Sequence, residues 1–307
     1  MGHSKLHHIL PAILAGVFLL SETAYSDEKL EVGRNSAVKG EVKIKSIDEE
    51  ISRQALVKEP VFLGDNVNSR VGSSLQVLLK DKSTFTVGPQ CDMVIDKFVY
   101  DPNKNTNSLS AKVKKGMFRF TSGNVSKTNP DEIIVATPTA TMGIRGTMVE
   151  VLVGPEAFLC SQHENILVPG VELDHAGATL VILRGPGDKH TTNNQKGEVI
   201  VSSGGKDVVL TQAGTGVLVS NAEEKPSEVF KVSEDLHNYF NRRLRTKPSR
   251  TGNFRPFTID EAWFTPITIE DEHSTIFTPL EAVEDMDWPS QSFDDIEFDD
   301  NFIDIEN

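Results

Sequence analysis

The amino-acid sequence predicts an all-β fold, either a multi-stranded β-sandwich or a solenoid-like stack of strands. Three observations carry that expectation. Between about Val32 and Ser220, apolar residues recur at every second position in short runs, the spacing that puts them on one face of a strand. Clusters such as Gly72-Ser73-Ser74, Asp101-Pro102-Asn103, Ser122-Gly123-Asn124 and Gly204-Gly205 separate the runs, and each is turn chemistry. Helical periodicity is nearly missing from the same stretch, which argues against strands alternating with helices.

Residues 1–26 precede the first of those runs. Lys5 is followed by an apolar run from Ile9 to Leu20, then Ser21-Glu22-Thr23 and a small-residue site at Ala24-Tyr25-Ser26. That order predicts a signal peptide over 1–26 and a mature chain from Asp27. The run is shorter than the roughly 18 apolar residues a membrane span needs. No later stretch is long and apolar enough to span, and no cysteine stands at the cleavage site to carry a lipid. A periplasmic or secreted bacterial protein that does not span the membrane is therefore expected.

The first β block, 32–153, places Val42 with Ile44, Leu75 with Val77 and Leu79, and Phe85 with Val87 on common strand faces. Met93 with Ile95, Phe118 with Phe120, Ile133 with Val135, and Val149 with Val151 and Val153 continue the pattern. Residues 154–177 pattern weakly and are expected to form a loop or insertion. Leu180 with Ile182, Val199 with Val201, Val208 with Leu210, and Val217 with Val219 extend the same β body over 178–220.

One helix is predicted over 228–246. Val229, Val232, Leu236, Phe240 and Leu244 recur at three- and four-residue steps, Ser233 is a suitable N-cap, and Pro248 follows. Arg242, Arg243 and Arg245 sit where cations suit the helix dipole. His237 falls on its polar side. The segment 248–307 changes character, with isolated aromatics such as Trp263, Phe264, Trp288 and Phe302 among acidic residues. Its composition predicts disorder, with the aromatics as candidate contacts for a partner.

The chain carries 45 acidic against 31 basic residues, a net charge of −14. Residues 256–307 hold 16 Asp or Glu and no Lys or Arg, so the remainder is close to neutral at +2. An acidic tail on a body without basic excess argues against a nucleic-acid partner. Cys91 and Cys160 are the only cysteines. In an oxidising compartment they are the candidates for a disulfide, and the sequence leaves two free thiols equally open.

Catalytic patterns are missing: there is no nucleophile elbow, His-Glu-x-x-His, phosphate-binding loop or dinucleotide fingerprint. Cys160, His163, His175 and His190 lack the recurring spacing of a metal site. No cofactor, metal or enzymatic activity is expected.

Several short motifs in order resemble the FecR domain family. They are Gly40-Glu41-Val42, Leu63-Gly64-Asp65-Asn66-Val67 with Ser69, Gly72-Ser73-Ser74 with Asp81, and Phe85 to Pro89. A second group follows: Gly116-Met117-Phe118-Arg119-Phe120, Ser122-Gly123, Val135-Ala136-Thr137-Pro138-Thr139-Ala140 and Gly143-Ile144-Arg145-Gly146-Thr147. The resemblance covers about 38–153. It singles out Gly64, Asp65, Gly72, Gly116, Thr137, Pro138, Gly143, Arg145, Gly146 and Thr147, which are expected to be structural. The glycines suit positions where strands turn, and Pro138 holds Thr137 extended. Arg145 can brace a turn through carbonyl bonds or offer a fork to an anion; the brace is the favoured expectation.

The resemblance implies a regulator. Family members join an outward-facing domain of this kind to one membrane span and to a cytoplasmic segment that controls a sigma factor. Neither the span nor that segment is expected here. What carries over is an exported binding or sensing module that contacts a protein or cell-envelope partner. A structural or adhesive surface protein and an envelope-polymer hydrolase are the alternatives. N-terminal sequencing of the exported protein is expected to begin at Asp27; recovery of Met1 or Gly2 would sink the signal-peptide assignment.

Overall fold

A computed structural model describes residues 29–246 apart from 105, 168–169 and 186–196. The expected signal peptide, His190 and the acidic tail lie outside the described residues.

Seventeen strands are described in chain order: β1 (Glu31–Lys39), β2 (Val42–Lys45), β3 (Arg53–Gln54), β4 (Pro60–Phe62), β5 (Asn66–Ser69), β6 (Ser74–Leu79), β7 (Thr84–Val87), β8 (Asp92–Val99) and β9 (Ser108–Thr121). After a one-turn helix α1 (Val125–Thr128) come β10 (Ile133–Ala136), β11 (Thr141–Arg145) and β12 (Met148–Val153). Helix α2 (Pro155–His163) precedes β13 (Thr179–Leu183), β14 (Glu198–Ser203), β15 (Lys206–Leu210), β16 (Thr215–Val219), β17 (Phe230–Lys231) and helix α3 (Glu234–Arg243).

The strands make two sheets. Sheet A has the spatial order β4-β1-β6-β7-β9-β12-β13-β16-β17. Sheet B has the order β3-β2-β5-β8-β9-β10-β11-β14-β15. Among the described pairings only β9 with β10 is parallel. Apart from β4 and β3, each sheet lays down its strands in chain order. The all-β expectation holds, and the two forms it offered coincide: two packed sheets wound by a chain that passes back and forth between them.

Strand β9 belongs to both sheets. Its first half, to Lys115, pairs with β8 and β10 in sheet B, and its second half, from Gly116, pairs with β7 and β12 in sheet A. The crossing falls at Gly116, which has φ +92°. A Cβ there would lie 2.4 Å from the Cys91 Cα and the Gln90 carbonyl oxygen. A register shift in the β8–β9 ladder between Asp92 and Met93 adjoins the bend, as bulges do where a strand changes direction.

Two apolar clusters organise the packing. The larger lies between the sheets and joins residues such as Leu75, Phe85, Phe118 and Phe120 of sheet A to Ile44, Met93, Ile133 and Ile144 of sheet B. Burying such side chains is worth about 1.5–3 kcal/mol each. The smaller covers the other face of sheet A, where Met117, Leu152, Leu180, Ile182 and Leu218 meet Ala157 and Cys160 of α2 and Leu236, Phe240 and Leu244 of α3 and its C-cap. Strands β13 and β16 are consequently buried at every residue, which is why they read as continuous apolar runs.

Two expectations need correction, and the alternative left open for the cysteines closes. Helix α2 occupies nine residues of the stretch expected to be a loop, with Pro155 at a first-turn position that spares an N–H it could not donate. The C-terminal helix begins at Glu234, six residues beyond the expected start, because Phe230 and Lys231 pair with Gly216 and Thr215 as strand β17. Ser233 is extended and caps the helix by accepting from the Leu236 N–H at 3.1 Å. Cys91 and Cys160 are free thiols, Cys91 in the cluster between the sheets and Cys160 in the cluster beneath the helices. Burial pushes both thiols up in pKa.

Gly116→Ala is expected to destabilise the protein by at least about 2 kcal/mol, since positive φ and overpacking against fixed backbone act together. Chemical denaturation would read the loss; an unchanged midpoint would refute the corner assignment.

Candidate functional site

The motif residues fall into two groups: those the fold uses up in its own bonds, and one it leaves bare. Asp65 belongs to the first. It is buried at the turn into β5, where Oδ1 accepts from Ser46 Oγ at 2.7 Å while Oδ2 accepts from Arg53 Nη2 at 2.7 Å and the Phe62 N–H at 3.1 Å. Gly64 beside it has φ +80°, and Gly72 turns the chain into β6 at φ +69°. Asp81 is fully buried, with no cationic partner among the described residues; it accepts from the Ser83 N–H, Ser83 Oγ and the Val125 N–H at 2.9, 2.6 and 3.1 Å. Three donors satisfy the carboxylate where a buried charge would otherwise be costly.

The Thr137–Ala140 segment forms a turn closed by the Thr137 N–H on the Ala140 carbonyl, 2.8 Å. Pro138 sits within it. The Thr137 and Thr139 hydroxyls lie 2.8 and 2.9 Å from Thr179 Oγ1, and Thr139 Oγ1 donates to the Gly177 carbonyl at 2.8 Å. This buried knot ties sheet B at the β10–β11 turn to sheet A at the start of β13. Thr147 exchanges bonds with Ser122: its N–H donates to Ser122 Oγ at 3.2 Å, and its carbonyl accepts from the Ser122 N–H at 3.0 Å.

Arg145 ends β11 and braces the turn differently from the carbonyl bonding expected. Its guanidinium pairs with Glu198 at 2.8 Å and with Asp131, and its side chain is 40% exposed. The ion pairs join β11 to β14 and to the turn before β10. Gly146 follows at φ +57°, with open space where a Cβ would stand.

Gly143 is the exception. It is not at a turn, as expected, but lies within β11 at ordinary strand φ, and a Cβ would meet only the Ile200 Cβ, at 3.9 Å. Neither backbone conformation nor crowding requires glycine here. Since Met142 and Ile144 point inward, Gly143 faces out from sheet B. Register aligns it in one row: Ser110 on β9, Ile134 on β10, Gly143, Ile200 on β14 and Val209 on β15. Ile134 and Ile200 are half-buried and Val209 is 48% exposed. The row is a shallow apolar stripe with a dip at Gly143. It ends on β15, whose outer edge pairs with no strand among the described residues.

A second polar assembly lies under α3. Glu150 of β12 has no exposure and is directly opposite Arg119 of β9 in register. Its Oε1 accepts from Arg119 Nε at 2.8 Å, and Arg184 Nε stands 3.1 Å from Oε2. Asn241 of α3 accepts from both arginines, at 3.3 and 3.2 Å. His237, expected on the polar side, is half-buried, and its Nδ1 has no partner among the described residues; burial and then Arg184 lower its pKa, against Glu150 and Glu164. The two helices are clamped at both ends. Glu164 accepts from Ser233 Oγ at 2.5 Å, and Glu156 accepts from Tyr239 Oη at 2.9 Å and Arg243 Nη2 at 3.1 Å. Burial and Glu156 raise the Tyr239 pKa. Sequence marked Ser233 as the helix cap, Arg243 as a cation suited to the helix dipole, His237 as a polar-side residue and Arg119 as part of a motif, but not their partners Glu150, Glu156, Glu164 and Arg184. The alternation Phe118-Arg119-Phe120 and Val149-Glu150-Val151 placed both charges on the non-core face, but nothing local said that a helix would cover it.

Among the described residues no three His, Cys, Asp or Glu side chains are arranged to hold a metal ion, and no helix is long and apolar enough to cross a membrane.

These features define a two-sheet β module whose motif side chains mostly serve the fold and which presents one bare strip on a sheet face. Residues 65–161, less than half of the chain, match the family model described as FecR protein. The match opens at Asp65 and closes within α2, so the Gly40 and Leu63-Gly64 motifs lie before it. Two crystal structures of a protein assigned as an anti-sigma factor from Parabacteroides distasonis ATCC 8503 show a weaker likeness, each with TM-score 0.36 and 14% identity. They share 57% of this chain with 64% and 63% of those chains, so the chain spans less than two thirds of their length. No curated protein matches.

Arg145→Ala is expected to cost no more than about 1 kcal/mol, the range of partly exposed ion pairs. Gly143→Ala is expected to be neutral or to stabilise by up to about 1 kcal/mol, since glycine weakens a strand interior. Thermal denaturation of both variants checks this; a large loss for Gly143→Ala would show a structural role that its surroundings do not explain.

Proposed function

We propose that this chain is an exported, non-enzymatic FecR-domain module that works by contact, binding a protein or cell-envelope partner on the outer face and open edge of sheet B and serving envelope signalling. The stripe Ile134–Gly143–Ile200–Val209 carries this reading. Glycine in a strand interior with free space above it lets another backbone or a flat group approach closely. The stripe also runs to an unpaired edge, where an extended segment can add as a further strand. The polar motif side chains of Asp65, Thr137 and Arg145 are occupied in internal bonds and offer less to a ligand. The expectation of a regulatory rather than catalytic role comes from the FecR match.

A surface protein that binds through its acidic, aromatic tail is the second reading, favoured by the 16 acidic residues and interspersed aromatics of 256–307. A photo-crosslinking residue at position 209 in the native envelope separates the two. Adduct formation that survives deletion of 248–307 and is lost in Gly143→Arg, with an unchanged Tm, is the expected result. An adduct that persists in Gly143→Arg but disappears with the tail would overturn the sheet-face reading.

A further inference from the structure

We infer that α3, with its lead-in strand β17, is a hinged cap that opens from sheet A while the sandwich stays folded, uncovering a preassembled apolar and charged face. How α3 is attached motivates this. Between β16 and the helix, the backbone bonds to sheet A among the described residues are those of Phe230 and Lys231 of β17, the Ser227 N–H on the Leu218 carbonyl at 2.8 Å, which anchors the chain before β17, and the Val232 N–H on the Gly214 carbonyl at 2.9 Å. Beyond Leu244 the chain runs on into residues 247–307. Lifting α3 therefore breaks no ladder between the other sixteen strands.

The contacts that hold it are side-chain contacts of a separable kind. Glu164 bonds the Ser233 cap at the start of α3, through Oγ at 2.5 Å and the N–H at 3.2 Å. Glu156 bonds Tyr239 and Arg243 near its end. Asn241 bridges Arg119 and Arg184 in between. Each clamp joins α3 to a group that keeps other partners or reaches water when the helix leaves. The charge beneath shows this most directly. Glu150 is wholly buried, yet both of its arginines belong to the β body, so opening hydrates the ion pairs without stranding the carboxylate. A buried charge left without a partner would oppose opening strongly; here that barrier is absent. Regions that open locally are those held by few backbone bonds at the periphery of a stable core.

The two cysteines report the motion without an added probe. Cys160 of α2 is 7% exposed and packs in the cluster with Leu236, Tyr239 and Phe240, whereas Cys91 is fully buried between the sheets. Lifting α3 uncovers Cys160 alone, and unfolding of the sandwich uncovers both. The experiment is alkylation of the native full-length protein at fixed pH, with each thiol followed by mass spectrometry. Cys160 is expected to react at least about tenfold faster than Cys91, as for a local opening that needs less free energy than global unfolding. Ser233→Ala, which removes the helix cap and one clamp, is expected to speed Cys160 by about fivefold and leave Cys91 unchanged. Tyr239→Phe, which removes the hydroxyl bond to Glu156 at the other end without changing a charge beside Cys160, tests that clamp and should act in the same direction. Equal rates at the two thiols, or a clamp variant that speeds both by the same factor, would show that α3 leaves only when the whole protein unfolds. Cys160 reacting as fast as an exposed cysteine and indifferent to the clamps would show that α3 does not cover it.

Discussion

The structure depends on one sterically closed corner. At Gly116 a single strand leaves one sheet and enters the other, with positive φ and the backbone of Gln90 and Cys91 at a distance no Cβ tolerates. Everything that makes the two sheets one body follows from it. Phe118 and Phe120 reach the inter-sheet core only because Leu109, Ala111 and Val113 have already entered it from the other sheet along the same strand. Shared this way, β9 forces both sheets to keep a common register, because a slip in either would move the apolar residues of both.

Polar groups complete what the corner begins. Asp65, Asp81 and the Thr137–Thr139–Thr179 knot are buried, and each joins segments far apart in sequence through bonds that leave the polar atoms satisfied. Such groups add specificity because their geometry admits few alternatives. The exposed Arg145 pairs do less, and Gly143 does nothing of this sort. The contrast separates residues that maintain the fold from a position where the surface is kept bare.

Much of the β body was legible in the sequence because strand faces depend on local alternation. Pairs such as Val42 with Ile44 or Phe118 with Phe120 report their own burial. That Gly64, Gly72 and Gly146 stand where the chain turns was likewise legible, whereas Gly116 bends a continuous strand. What could not be read was set by tertiary partners. Val229 and Val232 carry a helix-compatible spacing, but Phe230 and Lys231 between them pair with β16 instead, and the weak apolar pattern of 155–163 becomes helix because sheet A offers it a face. The same holds for the outward stripe, since Ile134, Gly143, Ile200 and Val209 become neighbours only through the register of four strands. Arg145 between two glycines suggested carbonyl bonds, whereas Asp131 and Glu198 reach it from other strands.

The order in which the sheets are laid down makes the two ends of the chain unequal. From β6 onward each strand joins the growing margin of a sheet already begun, so the outermost strands are the last made: β15 in one sheet, β16 and β17 in the other. Shortening the chain from its C-terminal side peels margins and leaves earlier pairings whole. Shortening it from the N-terminal side does the opposite, because β1 lies between β4 and β6, and its loss opens a gap inside the sheet. A chain emerging N-terminus first always has its template in place before the next strand arrives.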